Sequence, residues 1–216
     1  MAVSTSPSGV FITGTDTEIG KTFVSCALAL GFRQQGIAVI PRKPIASGCE
    51  IQQGQLLATD ALQLQQACYS DEPLSQICPY QFAQAISPAR AIAQSNQTIR
   101  LADLYQACLV KKPGLVLVEG AGGFLSPLAA DGLNADLAQK LNYPVILVVG
   151  NRLGCLNHAL LTIEAIEARN LTIKAVVLND LSADSDPDNL SDLKQLTTYP
   201  VFHQPYQSTP SALILD

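Results

Sequence analysis

Apolar runs of strand length recur along the chain, and they are apolar at every position rather than at every second one. They cover residues 9–13, 115–118, 145–149 and 175–178, with a shorter run at 38–40 and another at 200–202. A strand apolar on both sides has to be covered on both faces. Segments of helical period alternate with the runs: residues 22–35, 60–68, 88–95, 100–110, 134–141 and 156–169. Strand alternating with helix demands right-handed crossovers and a mainly parallel sheet. The predicted fold class is therefore α/β, with helices on both faces of the sheet. A chain of 216 residues buries enough surface to fold as one domain spanning 1–216. In such sheets a ligand sits beyond the carboxyl ends of the strands. Residues with chemistry should then lie just after the apolar runs.

They do. Directly after the first run stands Gly14-Thr15-Asp16-Thr17-Glu18-Ile19-Gly20-Lys21-Thr22, which opens a helix. A phosphate-binding loop needs inward-pointing backbone N–H groups, a lysine for the β- and γ-phosphates, and a hydroxyl for Mg²⁺. Gly20, Lys21 and Thr22 supply these, so the fold is expected to be P-loop NTPase-like. The common pattern has a glycine where this chain has Thr15, with Gly14 one step earlier.

The run at 115–118 ends on Glu119, followed by Gly120, Ala121, Gly122 and Gly123. A carboxylate leaving a buried strand beside a P-loop holds the metal ion or its water, and the glycines let backbone approach the phosphates. After the run at 38–40 comes Arg42-Lys43-Pro44-Ile45-Ala46-Ser47-Gly48. Lys43 reads either as a second ammonium facing the phosphate that Lys21 holds, or as a surface lysine. Asp60 reads locally as a helix cap. Asn179 and Asp180 reach a nucleotide base or form a turn. Gly154-Cys155-Leu156-Asn157-His158 opens a helix whose free N–H groups can hold a carboxylate or phosphate, as any helix start can. The two histidines, His158 and His203, lack a nucleophile-elbow context and are read as structural. Residues 182–189 form a surface loop, and residues 199–216 a wrapped tail.

The formal net charge of −5, without a run of Lys or Arg, argues against a nucleic-acid partner. Six cysteines lie far apart with no C-x-x-C pair, so they are expected to be free, buried thiols of a cytoplasmic protein. Residues 1–8 lack the charge and apolar core of a leader peptide. No stretch approaches the ~20 apolar residues that cross a membrane.

Taken in order, the segments 14–22, 43–48, 60–62, 118–123 and 153–159, with Asn179 and Asp180, resemble the dethiobiotin synthetase family. The loop with Thr15 is that family's own form. The resemblance implies an ATP- and Mg²⁺-dependent ligase that converts 7,8-diaminononanoate and CO2 to dethiobiotin, ADP and phosphate, in biotin biosynthesis. The route would pass through a carbamate and a carbamic–phosphoric anhydride. By resemblance, Lys21, Lys43 and Thr17 are catalytic. Thr17, Lys43 and Ser47 hold the carbamate end of the substrate. Thr22, Asp60 and Glu119 organise Mg²⁺, a role that displaces the cap reading of Asp60. ATP would also contact Glu18, Ile19, Gly20, Phe23, Gly120, Ala121, Gly122, Asn179, Asp180, Pro205 and Tyr206. The carboxylate tail of the substrate would reach Gly154, Cys155 and Asn157 of a second subunit, which implies a homodimer with its sites at the interface.

The C-terminal part departs from the family. The base-binding segment at 202–207 is short, and no aromatic residue stands at 189–193. Two related P-loop classes compete. Amidating synthases of cobalamin synthesis carry a glutaminase domain, for which this chain has no room. Switch ATPases of the partition type place a second lysine beside the first glycine of the loop, where this chain has Thr13 and Thr15.

Overall fold

The computed structural model describes residues 8–215. Its first half runs β1 (Gly9–Gly14), α1 (Lys21–Gln34), β2 (Val39–Arg42), β3 (Ile45–Ser47), β4 (Glu50–Gln52), β5 (Gln55–Leu57), α2 (Thr59–Cys68), α3 (Leu74–Ile77), β6 (Tyr80–Phe82) and α4 (Pro88–Gln94). The second half adds α5 (Leu101–Cys108), β7 (Leu115–Glu119), β8 (Pro127–Ala129), β9 (Gly132–Leu133), α6 (Asn134–Leu141), β10 (Val145–Asn151), α7 (Cys155–Glu167), β11 (Ile173–Asp180), α8 (Asp188–Leu196) and β12 (Val201–Gln204).

The six apolar runs are the six strands of one sheet, ordered β12-β11-β10-β1-β7-β2. Every pairing in it is parallel. Alternate residues of each strand feed separate cores. Phe11, Val116, Val118, Leu147 and Val149 face one layer of helices, while Val10, Ile12, Leu117, Ile146 and Val148 face the layer with α1 and α2. That is the double coverage the uninterrupted apolar runs require. Strands β10 and β11 extend beyond their apolar runs to Asn151 and Asp180, because polar side chains there remain in the ladder.

The six helical segments also form. Helix α8 was not expected, and it begins inside the stretch read as a loop. Its only buried residue is Leu193, so its apolar stripe is too thin to register in the sequence. The loop reading holds up to the start of that helix. The two-residue and three-residue ladders (β3 with β6, β4 with β5, β8 with β9) carry too few residues for a periodic signal.

The tail wraps as expected. Beyond β12 it runs back over α1, where the Leu213 N–H donates to the Ala27 carbonyl at 2.9 Å and Leu215 joins the core. Gly31 makes the approach feasible, since a Cβ there would lie 2.0 Å from the Leu213 carbonyl oxygen. All six cysteines are free and buried. Among the described residues no helix is long and apolar enough to cross a membrane. The reading of residues 1–8 as no leader falls almost wholly outside the described residues.

Candidate active site

The carboxyl ends of β1, β2 and β7 are neighbours in the sheet, so the loops that follow them open into one cleft. It measures about 710 Å³ and is lined by Lys21, Thr22, Lys43, Ser47, Asp60 and Glu119, among others. The loop after β1 is tied to the next strand by the Thr15 N–H, which donates to the Val148 carbonyl at 3.0 Å. Gly20 turns the chain into α1 with φ of 80°, and a Cβ there would lie 2.2 Å from Asn179 Nδ2. Glycine is thus required for both conformation and space. The first turn of α1 carries no acidic side chain, which leaves its positive end open to an anion. Lys21 folds over the loop, its Nζ donating to the Asp16 carbonyl at 2.7 Å.

Glu119 is completely buried at the end of β7. Its Oε1 accepts from the Thr22 hydroxyl at 2.7 Å and from Lys43 Nζ at 2.5 Å. The same ammonium lies 2.8 Å from Asp60 Oδ2. The structure therefore brings four charged groups, Lys21, Lys43, Asp60 and Glu119, from four separate stretches of sequence to one cleft. Lys43 is no surface lysine. It is 4% exposed, and its environment sets its charge. Burial alone would lower its affinity for a proton, but Glu119 and then Asp60 outweigh this and hold it above the usual lysine range. Lys21 goes the other way. Burial pushes it down to about 8, Glu119 opposes this, and Lys43 adds to it. Burial would raise the Asp60 carboxyl, yet the Lys43 ammonium prevails and holds it low.

The cap reading of Asp60 is overturned. The N-cap of α2 is Ala58, which has no side chain to cap with, and Asp60 sits in the first turn with its carboxylate turned into the cleft. Asn179 and Asp180 do not form a turn either, because both still pair within β11. The Asn179 amide donates to the Ile19 carbonyl at 3.0 Å and so braces the phosphate loop. Asp180 accepts from the Asn151 amide at 2.7 Å and pairs with His203 at 2.8 Å.

A divalent cation fits the carboxylates. Glu119 Oε2 is buried with no hydrogen-bond partner, an unsatisfied acceptor that a cation would satisfy. No three His, Cys, Asp or Glu side chains among the described residues form a metal cage. Two carboxylates and a hydroxyl suit Mg²⁺, which keeps waters and substrate phosphates in its own shell.

Thr17, Glu18, Gly20, Ser47, Ala121 and Gly122 line the same cleft. Ile19 is buried outside that lining, and Gly120, also outside it, is packed against Asn134. Phe23, Pro205 and Tyr206 lie outside the lining, as do Gly154, Cys155 and Asn157. Gly154 and Asn157 are exposed at the start of α7, whereas Cys155 is buried. A second hollow of about 400 Å³ lies on the α7 side of the phosphate loop, bordered by Asp16, Leu125, Leu161 and Thr162.

Two residues escaped the sequence reading. Ser126 accepts the Gly123 N–H at 2.9 Å and shapes the glycine turn. Asn134, fully buried, donates to the Gly123 carbonyl at 3.2 Å and to Thr13 Oγ1 at 3.3 Å. Asn134 acts on groups 11 and 121 residues away, which no local pattern reveals, whereas Ser126 acts within its own turn, three residues from Gly123.

A family model described as an AAA domain matches residues 8–204. The chain is 45% identical over 177 residues to the ATP-dependent dethiobiotin synthetase BioD of Aromatoleum aromaticum, covering 81% of this chain and 79% of that one. It is 39% identical to the protein of the same name from Alteromonas mediterranea, covering 92% of each. Among solved structures, a ParA family ATPase from Chlorobium tepidum superposes with a TM-score of 0.54 at 13% identity, covering 93% of this chain and 85% of that one. The last likeness shows the fold alone.

Proposed function

The chain belongs to the ATP-dependent dethiobiotin synthetase family, and from that premise we propose how its cleft carries out the reaction. It is an ATP-dependent ligase. One amine of 7,8-diaminononanoate takes up CO2 and releases a proton, giving a carbamate. A carbamate oxygen attacks the γ-phosphorus, and ADP leaves. The second amine then attacks the carbonyl carbon of the mixed anhydride, closing the cyclic urea and expelling phosphate.

The observation that carries this reading is the Lys43 ammonium, held 2.5 Å from Glu119 beside the Thr22 hydroxyl and the phosphate loop. A reaction between an amine and CO2 needs no protein nucleophile. It needs carbamate and γ-phosphate in line, with the developing charge neutralised. The chain is equipped accordingly. Burial raises the Cys26 thiol and pushes Cys68 and Cys78 up to about 12, so none is a ready thiolate. Lys21 moves from the Asp16 carbonyl to the β- and γ-phosphates. Lys43 turns from its carboxylates toward the carbamate and the transferring phosphoryl group, while Thr17 and Ser47 orient the carbamate. Mg²⁺, held by Thr22, Asp60 and Glu119, would neutralise phosphate charge.

ATP also meets Glu18, Gly20, Ala121, Gly122 and the backbone at Ile19 and Gly120. Phe23, Asn179, Asp180, Pro205 and Tyr206 flank the nucleotide end. The substrate carboxylate takes the start of α7 from a second copy of the chain, at the exposed Gly154 and Asn157 with the buried Cys155 between them. That makes the working unit a homodimer, and its place the cytoplasm.

The test follows an oxygen. When bicarbonate labelled with heavy oxygen is supplied, label is expected in the inorganic phosphate released. Dethiobiotin formed alongside unlabelled phosphate would rule out the anhydride.

A further inference from the structure

Arg42 is the largest fully buried side chain among the described residues, 1% exposed. Its Nη1 donates to Glu72 Oε2 at 2.6 Å and its Nη2 to Glu72 Oε1 at 3.2 Å, and Nη1 also reaches the Pro41 carbonyl at 2.7 Å. The Nε is buried without a partner. A buried ion pair adds little stability over well-packed apolar side chains, and an orphaned donor has a cost of its own. Stability is therefore a poor reason for this pair.

Its connections supply a better one. Strand β2 is the edge of the sheet, and Lys43 directly follows Arg42. The segment bearing Glu72 runs along that edge, where the Lys43 N–H donates to the Ile77 carbonyl at 2.9 Å. The backbone carbonyl of Glu72 accepts from Gln65 Nε2 on α2 at 2.8 Å, and α2 carries Asp60. Gln76 and Lys112 contact the Glu72 carboxylate from outside, each at 3.2 Å. One buried pair thus ties the strand end that presents Lys43 to the helix that presents Asp60.

We propose that Arg42 and Glu72 are positioning residues that hold Lys43 in register with Asp60 and Glu119 for phosphoryl transfer. This rests on the role given to Lys43 above.

The test is a double-mutant cycle. Glu72→Gln and Arg42→Met are each made alone and in a Lys43→Ala background, and single-turnover dethiobiotin formation and ATP affinity are measured. Lys43→Ala should slow turnover by about 10²–10³-fold, typical for one transition-state charge donor. Glu72→Gln and Arg42→Met should each slow it by about tenfold, in the range of coupling between neighbours in one network, with ATP affinity unchanged. On top of Lys43→Ala they should slow it no further. The inference is overturned if the same loss recurs in the Lys43→Ala background, if ATP affinity falls in step with turnover, or if both variants run at the wild-type rate. Glu72→Gln keeps the shape of the site and one acceptor oxygen but removes the charge and one of the two hydrogen bonds from Arg42, so it decides alone if Arg42→Met does not fold. A Lys43→Ala enzyme as fast as wild type would remove the assignment of Lys43 and this inference with it; multiplicative losses would remove only the inference.

Discussion

Burial sets the charge of Lys21 before any ligand arrives. With its proton affinity pushed down to about 8, the free protein carries a neutral amine there at higher pH. In the unfolded chain this lysine holds its proton up to its ordinary 10.5, so between those values stability from this group rises with pH. A triphosphate favours the ammonium form. Binding of Mg·ATP should then take up a proton above pH about 8 and none well below it. Calorimetry in buffers of different ionisation heat reads this directly, and identical heats at the higher pH would contradict it. Residues of this kind were legible to the extent that their signal is local. Glu119 stands at the end of an apolar run, and Lys21 and Thr22 close the loop motif that follows one, so all three could be read. Asp60 could be assigned to the metal only by resemblance, because its partner Lys43 lies on another element and a cap is the nearer explanation. Arg42, Glu72 and Asn134 carry no local mark at all.

Whole elements were easier to read than residues wherever burial is two-sided. Strands β1, β7 and β10 are buried almost along their length, and a sequence cannot disguise that. Helix α8, with one buried residue, and the short ladders around the cleft were not readable for the opposite reason. The tail lies between these cases. Its prolines and final apolar residues marked it as wrapped, but only Gly31 on α1 reveals where it docks. A Cβ at that position would drive the Leu213 carbonyl away. Gly31→Ala should therefore cost about 1–3 kcal/mol, the usual penalty for overpacking, as read from denaturant unfolding. ATP affinity should be retained, because the cleft lies at the other end of α1. A wild-type midpoint would mean that the tail yields without cost.

At the scale of the molecule, the sheet does not choose the chemistry. A ParA family ATPase shares it at 13% identity, and function lies in what the strand ends carry. The exposed start of α7 sharpens the same point. Leu153 is fully exposed, and Leu161, more than half exposed, borders the hollow on the α7 side of the phosphate loop. If that face completes a neighbour's site, sedimentation should find a two-chain particle. Full activity in a one-chain particle would contradict shared sites. The ligase reading itself meets its most direct test in ATP cleavage, measured with and without 7,8-diaminononanoate and bicarbonate. Cleavage that depends strictly on both, matched by dethiobiotin formed, is expected. Cleavage at the same rate without the diamine would contradict it.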